Sequence, residues 1–353
     1  MKLRIRTARR AALTSLGRAA LLACAALAAS CQQPLRPILD AGLSPLRWPK
    51  PPDTARIRHV GELTGEASLG KPRPFGGLRA LIAGPEPTIG FSTPTAVAAR
   101  GDRVFVADGQ NHAVYILDMQ SRDFRAIDRA GARPLDWPSD VLLVGEKLIV
   151  SDSKRAAVLL FDTGGALART IGEGSLKRPT ALAWNEEASE LYVLDAALHA
   201  CIVFSLDGRE LRRFGQRGSG DGEFNFPAGM TWSDAVGLVI ADSMNFRVQI
   251  FDASGAFKRA FGKKGDAAGD FALPRDVAVD SEGHIYVLDS QFENVQIFDA
   301  DGRLLMAWGQ EGRKPGEFYL PSGITIDVQD RIWIADTYNR RVQVFQYLPE
   351  NVP

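Results

Sequence analysis

One frame recurs six times along this chain of 353 residues, and that recurrence limits the possible folds more than any other feature. Each copy opens on a proline, at Pro94, Pro138, Pro179, Pro227, Pro274 and Pro321, and reaches a turn aspartate at Asp108, Asp152, Asp195, Asp242, Asp289 and Asp336. In the fifth copy, turn signals separate four short runs of β-branched and aromatic residues: Asp276 to Val279, His284 to Leu288, Asn294 to Phe298 and Leu304 to Trp308. The first two runs are apolar on both faces, as required of a strand covered on both sides. No helical periodicity appears in any copy, which excludes a helical array of the same period.

Six four-stranded units with a period in the forties define the blades of an all-β, six-bladed β-propeller with antiparallel blades, expected over residues 55–349. The sixth unit ends near Leu348 with only three strands, so an N-terminal strand must complete it. Ile57 to Glu62 matches the fourth-strand pattern of Arg169 to Glu173 and is the preferred closing strand; Leu78 to Ala83 is the alternative. Residues 350–353 read as a tail.

The element Asp336-Thr337-Tyr338-Asn339-Arg340-Arg341-Val342-Gln343-Val344-Phe345 recurs at Asp242 to Phe251 and, more loosely, at Asp108 to Val114. It resembles the NHL repeat. Copies two and three depart from it, with Arg155 and Leu198 where the others carry asparagine. The resemblance implies a six-bladed ring whose function ranges from binding RNA or protein to metal-dependent lyase and lactonase-like chemistry.

Residues 1–30 carry six basic side chains (Lys2, Arg4, Arg6, Arg9, Arg10, Arg18), no acidic one, and an apolar stretch from Ala19 to Ala29. That is the layout of a secretory signal peptide. The stretch ends in Leu27-Ala28-Ala29-Ser30-Cys31, which resembles the lipobox of bacterial lipoproteins, with Ala28 where the pattern favours leucine. The resemblance implies lipidation of Cys31; plain cleavage near Ala29 is the alternative. Gln32 after the cysteine favours the outer membrane or its periplasmic face, within a bacterial envelope location. Residues 31–54, with Pro34, Pro37, Pro45, Pro49, Pro51 and Pro52, read as an extended linker, although Trp48 is large enough to dock.

The full chain balances 42 basic against 42 acidic residues, so loss of residues 1–30 leaves 36 against 42. An exported, mildly acidic chain is a poor nucleic-acid binder. A monomer is expected, tethered by lipid, with a protein or a small ligand of the envelope as its partner. Cys201 stands where other copies place a core valine and reads as a small buried hydrophobe.

Residues shared by all copies are explained by the blade: the six aspartates accept N–H groups of their turns. Function is sought where the pattern breaks. The connections into copies four, five and six share Gly-x-x-Gly-x-x-x-Gly-x-Phe-x-x-Pro, whereas the connection into copy three shrinks to Gly172–Pro179, predicting a recess over blades two and three. Two residues after each proline the copies read Ala96, Asp140, Ala181, Gly229, Asp276 and Gly323. With six blades about 60° apart, Asp140 and Asp276 face one another across the channel. With Arg275 and the hydroxyls of Thr95, Thr180 and Ser322 they form the candidate binding set at the channel mouth; the alternative is that each aspartate only caps its own strand.

No cofactor is predicted. Calcium or zinc is the alternative, with Asp140, Asp276, His112 and His199 as the candidate ligands of a metal-dependent lyase or lactonase-like hydrolase. A zinc site needs three convergent ligands, and the four histidines His59, His112, His199 and His284 cannot be placed on neighbouring inner strands. No catalytic residue is assigned, and a binding module is the preferred reading over an enzyme.

Overall fold

A computed structural model describes residues 37–39, 44–71, 87–162 and 164–349. The chain divides into Met1–Pro37, of which only Pro37 is described, and Ile38–Pro353, to which everything below refers. The expected signal peptide, the lipidated Cys31, the alternative closing segment Leu78 to Ala83 and the tail lie outside the described residues.

Blade one comprises Pro94–Arg100, Arg103–Asp108, Ala113–Asp118 and Asp123–Ile127, paired antiparallel in that order. Blades two to five repeat it, opening with Pro138–Val144, Pro179–Asn185, Gly229–Ser233 and Pro274–Val279. Blade six contains Gly323–Ile326, Arg331–Asp336 and Arg341–Tyr347. Its fourth strand is Ile57–Leu63, the preferred closing segment, running antiparallel to the last strand with Leu63 opposite Val342. Each opening strand packs against those of both neighbouring blades, and blade six returns to blade one, so the ring is closed.

The apolar positions explain why the blades stack. Six core clusters fall among the described residues, and each joins two adjacent blades: Phe105 and Leu159, for example, share one cluster, and Ala183 and Ile240 another. The second strands are buried along almost their whole length, as the two-faced apolar runs predict. Phe161, Phe204, Phe251, Phe298 and Phe345 recur at one position of the third strand, all nearly inaccessible.

The six turn aspartates are fully buried. Asp108 accepts the N–H groups of Ser92, Thr93 and Asn111, and Asp289 those of Ala272, Leu273, Gln291 and Phe292. Each carboxylate thus ties the connection arriving at its blade to its own turn. In the long connections Gly215, Gly262 and Gly309 have positive φ, and a Cβ there would meet Phe224, Phe271 or Phe318 at 2.4, 2.2 and 2.6 Å. Glycine therefore lets these phenylalanines plug the seams.

The folded unit reaches beyond the expected boundary at residue 55. Arg47–Trp48 adds a fifth strand to blade six, with Trp48 opposite Ile57, and the Trp48 ring covers Gly316 and meets Phe345 edge-on at 5.9 Å. Ile38 and Leu39 pack on the core between blades six and one. This part of the segment 31–54 is docked on the ring.

Candidate functional site at the channel mouth

A cavity of about 320 Å³ opens on the face that carries the connections and aspartate turns. All six blades contribute, but most of the wall comes from blades two to five, so the predicted recess extends beyond blades two and three. A second space of about 220 Å³ lies further down the channel. Asp140 and Asp276 line both, which puts them at the waist between the two.

Each of these aspartates spans a blade boundary. Asp140 accepts the N–H of Val141 at 2.8 Å and, across the seam, that of Leu182 in blade three at 2.7 Å. Asp276 repeats the arrangement with Val277 at 2.9 Å and Ile324 of blade six at 2.8 Å. They cap their own strands and also pin the next blade. Although channel solvent reaches them in part, protein encloses both, and burial raises Asp140 from 3.8 to about 7. Burial also raises Asp276 well above its ordinary value, and the charge of ionised Asp140 pushes it further. The two titrate as a coupled pair, both held above the ordinary carboxylate range.

These two carboxylates do not by themselves make up a metal site. All four carboxylate oxygens already accept backbone N–H groups, and among the described residues no three His, Cys, Asp or Glu side chains converge as a metal ion requires. The candidate histidines serve the connections instead. His112 and His199 occupy a left-handed position that Ala156, Phe246, Glu293 and Arg340 fill in the other blades. His112 Nδ1 lies 2.6 Å from the carbonyl of Asp136, and His199 Nδ1 accepts the N–H of Phe226 at 3.1 Å. Cys201 is buried and free, with its thiol pushed up by burial.

The mouth is cationic. Arg275 follows Pro274 in the opening strand of blade five and lines the cavity, where channel solvent reaches it. Burial lowers its pKa, the charge of Asp276 opposes that shift, and the charge of Arg178 adds to it. Arg178 is held by its own N–H, which donates to Asp195 at 2.9 Å, and its guanidinium lies 5.5 Å from the centre of the Phe226 ring. Neither guanidinium donates a hydrogen bond or joins an ion pair among the described residues. Phe226, with φ of 47°, and Met244 expose 40% and 45% of their surfaces at the rim.

Two hydroxyls of the candidate set act between blades. Thr95 donates to the carbonyl of Pro138 at 3.1 Å, and Ser322 to that of Thr95 at 2.9 Å. Thr180 reaches only Leu194 in its own blade, at 3.3 Å. Sequence reasoning found Asp140, Asp276 and Arg275 but missed Arg178, Phe226 and Trp137. All three immediately precede an opening proline, which is the signal that marks the rim.

A closed ring of six four-stranded blades around a lined central channel defines a six-bladed β-propeller. The NHL repeat model matches residues 318–345, one repeat of the ring, and a model described as a 6-bladed beta-propeller matches residues 230–295. No curated protein sequence is significantly similar to the chain. Among solved structures it is similar to an auxiliary nutrient binding protein from Bacteroides thetaiotaomicron, with 12% identity, a TM-score of 0.59, and coverage of 73% of this chain and 69% of that one. It is also similar to a streptogramin B lyase, with 10% identity, a TM-score of 0.57, and coverage of 74% and 95%. A virginiamycin B lyase from Staphylococcus aureus gives 10% identity, a TM-score of 0.53, and coverage of 73% and 96%. At such identities the likeness is one of fold alone.

Proposed function

We propose that this propeller is an exported, lipid-tethered binding module of the bacterial envelope, and that it takes up a small anionic ligand at the channel mouth. The observation that carries the ligand reading is the pair Arg178 and Arg275, whose guanidiniums line one cavity and make no hydrogen bond or ion pair among the described residues. Two like charges lining one cavity favour a counter-anion. Burial raises both carboxyls at the waist above their ordinary range, so near neutral pH they cancel only part of that positive charge. Phe226 and Met244 provide an apolar rim for the remainder of such a molecule.

A rigid ring with a preformed pocket suits binding, since little ordering is needed when the ligand arrives. The fold likeness to a nutrient binding protein agrees with this reading. The lyases share the fold, but among the described residues no three His, Cys, Asp or Glu side chains converge to favour metal-dependent chemistry at the mouth. Export and tethering rest on the basic and apolar leader and on Cys31. Titration of the purified chain with aromatic and aliphatic carboxylates by calorimetry tests the ligand class. Saturable binding that is lost in Arg275→Gln supports it, and no heat from any carboxylate refutes it. Labelling with a palmitate analogue, lost in Cys31→Ser, tests the tether.

A further inference from the structure

Five of the six blade junctions carry the same hydroxyl link at the mouth. Two positions supply it: the residue after the opening proline and the residue after the turn aspartate. Thr95 reaches the carbonyl of Pro138, and Ser139 that of Pro179 at 3.0 Å. Ser243 caps Pro274, Ser290 caps Pro321, and Thr337 caps Pro94 at 2.8 Å. In every case a hydroxyl of one blade satisfies the opening proline carbonyl of the next.

The junction of blades three and four is different. Ala196 stands where Ser243, Ser290 and Thr337 supply the hydroxyl, and Thr180, at the other position, donates to Leu194 instead. No hydrogen bond reaches the carbonyl of Pro227 among the described residues, although Pro227 is buried and lines the cavity. A carbonyl that the protein leaves unpaired beside a cavity is open to a donor from solvent or from a ligand. The seam also lies beside the cationic pair and the apolar rim. Arg178 immediately precedes the opening strand of blade three, and Phe226 immediately precedes Pro227.

We infer that the seam between blades three and four is the specificity slot of the pocket, and that the ligand is a carboxylate bearing an N–H or O–H donor near an apolar group, of the N-acyl amino acid or hydroxy acid class. Its carboxylate pairs with Arg275 and Arg178, its donor caps Pro227, and its apolar part lies on Phe226. The inference rests on the anion-binding reading above and adds to it the identity of the second anchor. His199 is a positioning residue in this scheme, because its Nδ1 fixes the Phe226 N–H and its ring lies 4.5 Å from the Phe226 ring.

The test compares three probes on the full chain by calorimetry: N-acetylphenylalanine, its N-methylated form without the N–H, and 3-phenylpropionate. The expected result is that N-acetylphenylalanine binds about tenfold more tightly than the other two, the gain of one buried hydrogen bond. Ala196→Ser restores the missing hydroxyl and should reduce that preference to about twofold while leaving 3-phenylpropionate unchanged. Equal binding of all three probes to the unaltered chain, or a preference that survives Ala196→Ser, overturns the slot and leaves the anion pocket standing. Absence of binding by any probe, or binding indifferent to Arg275→Gln, overturns the anion pocket and the slot with it. The N-methylated probe needs no variant, so the question is answered even if Ala196→Ser does not fold.

Discussion

The carboxylate of Asp140 accepts the backbone N–H of Leu182 at 2.7 Å, across the boundary between blades two and three. Asp276 and Ile324 repeat the contact at the boundary of blades five and six. Carboxylates that the sequence presents as possible ligands are thereby blade-to-blade links, held where ionisation is costly.

A pH dependence follows. The folded state holds the Asp140 proton up to about pH 7, whereas the unfolded chain releases it near 3.8. Between those values the native state binds more protons, so stability is greatest at the acidic end and is lost as pH rises through about 7. The full shift sets a ceiling of about 4 kcal/mol, and channel solvent reduces this to roughly 1–3 kcal/mol. Urea unfolding at pH 5, 6 and 8 should show this decline in the unaltered protein and a flatter profile in Asp140→Asn.

The same titration governs the pocket. As Asp140 ionises, negative charge grows at the waist below Arg275, so carboxylate affinity should fall several-fold between pH 6 and pH 8. Calorimetry across that range checks it, and Asp140→Asn should bind with little change over the same interval.

Gly262 has φ of 86°, and a Cβ there would meet the Phe271 ring at 2.2 Å. Gly262→Ala combines backbone strain with displacement of a buried plug and should cost about 2–4 kcal/mol. Chemical denaturation measures the loss. Gly101→Ala, also at positive φ but with nothing within 4 Å, should cost about 1 kcal/mol.

Trp48 packs on Gly316 and Phe345 and belongs to the fifth strand of blade six. Trp48→Ala should lower stability by about 1–3 kcal/mol, read as a lower thermal midpoint. A segment acting only as a spacer would show no change.

Much of the ring was legible in the sequence because each blade repeats the same local solution. Six prolines and six aspartates in register fix the blade count, and Ile57 to Glu62 could be chosen as the closing strand because it copies Arg169 to Glu173. The mouth was legible only where it breaks that pattern, as Asp140, Asp276 and Arg275 do. Arg178 and Phe226 went unread because they lie far apart in sequence and meet only through the curvature of the ring. The pairing of Arg47–Trp48 was hidden by proline-rich surroundings, where a two-residue strand leaves no periodicity. The oxygens of Asp140 could not be assigned, since their second partner comes from another blade.

The join of Ile57–Leu63 to Arg341–Tyr347 also sets the order in which the chain can become a ring. Ile57–Leu63 must wait for Arg341–Tyr347, across a separation that makes loop closure slow. Until Tyr347 is available, blade six has an unpaired edge, the kind of surface on which β-rich chains associate wrongly. Loss of the pairing with Arg341–Tyr347 would therefore act on the whole ring, because that strand fastens Ile57–Leu63 to blade six.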